Sequence, residues 1–161
     1  MKFLLSLVLF FTVSFSQGQC GIEKYKSMSE PAYLSGDLIY CPNITFQSET
    51  SDEIDLEKSR FSLQIIGGFL KSHANLFCEL QIHSDFKIDE KENLKLTQSR
   101  AESIREYLLE NFVLPTYQIQ AKGYGFGEPL YTVKEIEDGD WNKETQEEMH
   151  QCNYRTLLRV I

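Results

Sequence analysis

Positive charge is scarce in this chain of 161 residues: 16 Lys and Arg stand against 24 Asp and Glu, for a formal net charge of -8. An acidic surface repels a phosphate backbone, which excludes a protein that coats nucleic acid. Long hydrophobic runs are also lacking. No segment reaches the ~18 apolar residues of a spanning helix, so no transmembrane helix is expected in the mature chain. There is no internal repeat and no low-complexity tract, and 42% hydrophobic with 12% aromatic residues supply the core of one globular domain.

What is present begins with Lys2, an apolar run from Phe3 to Phe11 extended by Val13 and Phe15, and small or polar residues at Ser14, Ser16, Gln17 and Gly18. This is the order of a secretory signal peptide, with the cut expected after Ser16. Residues 1–16 are then the signal, 17–36 a leader, and 37–161 the domain. An exported chain meets a disulfide-permissive compartment, and Cys20, Cys41, Cys78 and Cys152 allow three pairings if all are bridged. Cys78 reads equally well as a small buried hydrophobe. Lipid attachment at Cys20 is the other option for that residue. It normally requires a small residue just before the cysteine, where this chain has Gln19, so a soluble start is preferred.

Leu38–Cys41 and Ile44–Phe46 are strand-like and broken by Pro42, as at a sheet edge. Leu56, Leu63, Ile66 and Leu70 share one helical face, weakened by Gly67-Gly68. Leu76, Cys78, Leu80 and Ile82 alternate with Phe77, Glu79 and Gln81 as in a half-buried strand. A second helix is expected over 94–110, with Leu94, Ala101, Ile104 and Leu108 as its buried stripe and Asn111 as a left-handed cap. Residues 117–122 and 156–161 are two further strands. The order βαβαββ predicts an α/β (α+β) sandwich, a mixed sheet with helices on one face. An acidic insertion spans 130–152; its segment 135–148 carries seven carboxylates and one lysine and is read as a solvated, dispensable loop or short helix.

Several chemistries fail on spacing. Gly123-x-Gly125-x-Gly127 leads into Glu128-Pro129 rather than a helix with a lysine, so it does not cradle phosphate. The contiguous His83-Ser84-Asp85 cannot converge on one reacting atom. Cys78 and His83 point to opposite faces of a strand, and His150 with Cys152 could share a face but are only two ligands, so neither metal nor cofactor is expected, and no enzyme. The constellation that remains is Asp85 after the second strand, Asn93 and Arg100 seven residues apart on the edge of the second helix's stripe, and Arg155 before the last strand. A carboxylate beside guanidinium groups suits a zwitterionic ligand; the same residue types would also serve as an internal Asp85–Arg100 salt bridge.

At these residues the chain resembles the OmpA-like (OmpA/MotB C-terminal) peptidoglycan-binding domain family. The matching pieces are Ile82-His83-Ser84-Asp85, Asn93, Leu96-Thr97, Arg100-Ala101, Gly123-Tyr124-Gly125, Pro129 and Asn153-Tyr154-Arg155-Thr156. The resemblance covers about residues 38–161. It implies that Asp85 and Arg100 hold the diaminopimelate of a stem peptide, with Asn93 and Arg155 as supporting pocket residues. The chain departs from the family pattern at Ile82, at Ile88 in a ligand-facing loop, and at Tyr154, where a cation is lost. The expected function is non-covalent peptidoglycan binding in the periplasm, in association with the outer membrane. The alternative is a module that keeps the fold but docks envelope proteins through its acidic segment and an exposed sheet edge.

Overall fold

The computed structural model describes residues 20–85 and 89–161. The expected signal peptide, its expected cleavage point and Ile88 lie outside the described residues. The elements are β1 (Leu38–Cys41), α1 (Leu56–Ser72), β2 (Cys78–His83), α2 (Glu90–Phe112), β3 (Ile119–Gly125), α3 (Val133–Glu137), α4 (Lys143–Asn153) and β4 (Arg155–Val160). The sheet order is β1-β4-β2-β3; β4 runs antiparallel to both neighbours, and β2 and β3 are parallel because α2 crosses between them. The expected α+β fold with a mixed sheet is borne out, with α3 and α4 inserted ahead of the last strand.

Helix α1 starts where the Asp55 carboxylate accepts the Lys58 amide at 3.2 Å. Its Leu63, Ile66 and Leu70 are fully buried, whereas Leu56 in the first turn is half exposed. Gly67 has a packing reason: a Cβ there would lie 2.4 Å from the Phe112 ring. Helix α2 begins at Glu90, earlier than periodicity suggests, because Asp89 caps the amides of Lys91 and Glu92. Its buried face runs Asn93, Thr97, Arg100, Ala101, Ile104, Leu108, and Leu94 is turned outward. The polar residues therefore continue the apolar stripe rather than flank it. The left-handed residue is Val113 (φ 55°), not Asn111, which stays in the helix and donates to the Tyr107 carbonyl at 2.9 Å. The reversal falls just ahead of Leu114-Pro115, where proline disfavours further helix.

Strand β3 lies so close to α2 that a Cβ at Gly123 would stand 2.2 Å from the Gln98 backbone nitrogen. Its free edge is covered by α2 side chains: Gln98 takes the Gly123 amide and donates to the Ala121 carbonyl, Thr97 takes the Gly125 amide, and Arg105 donates to the Ile119 carbonyl. At the opposite edge, the Lys26 amide donates to Leu38 and the Lys26 carbonyl accepts from Tyr40. Both edges are thus partly satisfied by the chain itself.

The acidic segment is more firmly anchored than its composition suggests. Thr132 and Glu135 form a capping box at α3, Asn142 caps α4, and Ile136 and Met149 are buried. Cys20 and Cys152 form a disulfide, while Cys41 and Cys78 are free thiols in the core. The sulfur that a lipid on Cys20 would need is spent in that bond. No described helix is long and apolar enough to cross a membrane.

Candidate functional site

Strand β2 ends in a register shift at Ile82/His83, and the Ser84 amide then donates to the Gly125 carbonyl at 2.8 Å. This turn delivers Asp85 beneath the end of the sheet. Asn93 holds the turn from α2: its Nδ2 donates to the Asp85 carbonyl oxygen at 2.6 Å, and its Oδ1 accepts a hydrogen bond from the Ser84 hydroxyl. Both Asn93 and Asp85 are buried. Asn93 therefore positions the backbone that carries Asp85.

The Asp85 side chain is fully enclosed. One oxygen accepts from His150 Nδ1 at 2.6 Å and the other from Asn153 Nδ2 at 2.9 Å. Three residues apart on α4, His150 and Asn153 share a face. Asn153 is a hub: its Oδ1 accepts the amides of Leu130 and Tyr131, and its Nδ2 also donates to the Tyr131 carbonyl.

Arg100 does not pair with Asp85. Its guanidinium donates to the carbonyls of Ser48, Glu49 and Ser51 at 2.8–3.1 Å and lies 4.4 Å from the centroid of the Phe46 ring. Burial lowers its pKa, against the pull of Tyr154, Asp52 and Glu49. Arg155 is likewise committed to the Tyr25 hydroxyl and the carbonyls of Asn153 and Glu128. A cavity of about 340 Å³ is lined by Phe46, Glu49, His83, Arg100, Tyr154 and Arg155 among others. Burial raises the Tyr154 hydroxyl pKa; the carboxylates of Asp85 and Glu49 add to the rise and Arg100 opposes it. Tyr154 thus stands in the field of both Asp85 and Arg100.

The structure brings Asp85 and Asn93 together and places Arg100 and Arg155 on one cavity, with Asp85 set apart from it under α4. Sequence reasoning assigned no site role to His150, Asn153 and the carbonyls of the 48–51 loop. The three-residue spacing of His150 and Asn153 was the available signal. The imagined zinc residues are dispersed: Cys78 is in the core, Cys152 in the disulfide, and His83 is stacked on Tyr124 with ring centroids 4.7 Å apart. Among the described residues no group of three or more candidate ligands could hold a metal ion.

The OmpA family model matches residues 45–142. Among solved structures, the peptidoglycan-associated lipoprotein of Burkholderia pseudomallei is 21% identical, covers 77% of this chain and 89% of its own, and superposes with a TM-score of 0.52. The periplasmic domain of Helicobacter pylori MotB gives 17% identity, 77% and 81% coverage and a TM-score of 0.57. The cell wall anchor of the T6SS from Pseudomonas aeruginosa gives 20%, 72% and 74%, and 0.50. At these identities the likeness is one of fold. No curated protein is a significant match.

Proposed function

The chain belongs to the OmpA family, and from that premise we propose that it is a non-enzymatic, non-covalent binder of peptidoglycan in the periplasm, associated with the outer membrane. The observation that carries the reading is the shared helix: Asn93 of α2 holds Asp85 at the end of β2, and Arg100 of the same helix lines the cavity. An acid and a guanidinium so arranged suit the ammonium and carboxylate of a diaminopimelate side chain in the stem peptide. Two of the similar structures are described as a peptidoglycan-associated lipoprotein and a cell wall anchor, which supports the same assignment.

A second reading has its own observation. Both Asp85 oxygens and most Arg100 donors are already taken by the protein itself, as in a module that has kept the fold and works as a protein-interaction component of an envelope complex. Binding isotherms of the mature protein with purified sacculi separate the two. Under the first reading the wild type binds, and Asp85→Ala or Arg100→Ala each weakens binding at least about tenfold, since a hydrogen bond to a charged group is worth about 1.5–3 kcal/mol. Absence of wild-type binding in every state of the protein selects the second.

A further inference from the structure

We propose that α4 is a built-in occupant of the binding site: His150 and Asn153 make to the Asp85 carboxylate the contacts that a ligand ammonium would make, and the Cys20–Cys152 disulfide holds that helix in place. The proposal rests on the reading of Asp85 as a ligand group and names the control of that same site. Three observations carry it. The Asp85 side chain has no exposed surface, and each oxygen is satisfied by a donor from one turn of α4, so an outside cation has no access while that turn is seated. The turn is pinned covalently by Cys152, which lies between His150 and Asn153 and is joined to Cys20 at the far end of the described chain. Apolar packing contributes little, for only Met149, Cys152 and Asn153 of the helix are buried. A helix held by polar and covalent ties rather than a broad apolar face belongs to the low-stability part of a fold.

The moving part is the last turn of α4, and its pivot is Tyr154, where the helix ends and β4 begins. Withdrawal of that turn uncovers Asp85 and joins it to the cavity that Arg100 and Arg155 line. Because Asp85 cannot serve His150 and a ligand at once, the two compete. Apparent affinity is then the intrinsic affinity reduced by the open fraction, so a tenfold gain on unlatching corresponds to an open fraction of about one in ten or less.

The test uses the mature protein with its disulfide intact, the double variant Cys20→Ser/Cys152→Ser, and His150→Ala, each titrated with purified sacculi and each checked by thermal melting. The expected result is that the double variant and His150→Ala bind at least about tenfold more tightly than the wild type, although both melt lower. A purely structural contact predicts the opposite sign, because loosening a site weakens it. If His150→Ala does not fold, the double variant alone decides. Wild-type binding equal to or tighter than that of the unlatched forms overturns the proposal and leaves the peptidoglycan reading standing. No binding by any form overturns that reading and the latch with it.

Discussion

Asp85 and His150 stand 65 residues apart in the chain and 2.6 Å apart in the fold, Oδ2 to Nδ1. A carboxylate only accepts, so the imidazole nitrogen is the donor whatever its charge. The contact fastens the end of β2 to an inserted helix, and Asn153 doubles it on the other oxygen. The acidic insertion 130–152 is therefore wired, through His150, into the most buried acid of the chain.

The first prediction concerns that wiring. Asn153 is fully buried and makes four hydrogen bonds: two accepted amides, one donation to Asp85 and one to Tyr131. Asn153→Ala removes the donor to the buried Asp85 Oδ1 together with the side chain's three bonds to the part-buried 130–131 backbone, and a buried group left unsatisfied costs about 1–3 kcal/mol. A loss of about 3 kcal/mol or more in urea denaturation is expected. A loss below about 1 kcal/mol would mean that water replaces the side chain and that the hub is not structural.

Gly123→Ala tests the approach of β3 to α2. The added methyl meets the backbone of Gln98 and Thr97 rather than a flexible side chain, so strand and helix must separate and the Gln98 and Thr97 bonds to the strand edge lengthen. Overpacking of this kind costs about 1–3 kcal/mol. A melting temperature unchanged by the substitution would show that this contact yields easily.

Local relations were legible in the sequence and distant ones were not. The alternation Cys78, Leu80, Ile82 marks one buried sheet face, although Gln81 and His83 on the other are buried too, and the eight-residue step from Asp85 to Asn93 becomes a real contact because turn and helix are consecutive. Arg100 meets carbonyls about fifty residues earlier, and Asp85 meets donors 65 and 68 residues later. Topology sets such encounters, and spacing along one helix cannot rank them. Ile136 and Met149 were hidden for another reason: single apolar residues in a charged segment vanish in a composition count, yet each is buried.

The cysteines give a prediction of a different kind. Burial raises the Cys78 thiol to about 11 and pushes that of Cys41 further up still, and the thiolate is the reactive form. At pH 8 the native protein should not react with a maleimide, and denaturant without reductant should expose two thiols. The Cys20–Cys152 bond closes a loop of sequence separation 132, and its removal is expected to cost about 2–5 kcal/mol. Rapid labelling of the native protein, or four thiols after unfolding, would contradict the pairing.

The last prediction is a pH dependence. His83 is buried on β2 and stacked on Tyr124; burial lowers its pKa from the ordinary 6.5 to about 3, and the Arg155 cation adds to the effect. The unfolded chain takes up this proton as pH falls below about 6.5, whereas the folded protein refuses it until about pH 3. Between those limits the unfolded state binds more protons, so the His83 contribution is fully present above pH 6.5 and is lost progressively on acidification. One such group gives a slope of up to about 1.4 kcal/mol per pH unit. His83→Gln, which cannot take up the proton in either state, should be less stable than wild type at pH 8 but lose stability less steeply from pH 6.5 to 4. Chemical denaturation at half-unit intervals measures both curves. If the two run parallel across that window, His83 protonates in the fold as readily as in the unfolded chain, and the acid sensitivity of this domain arises at another group.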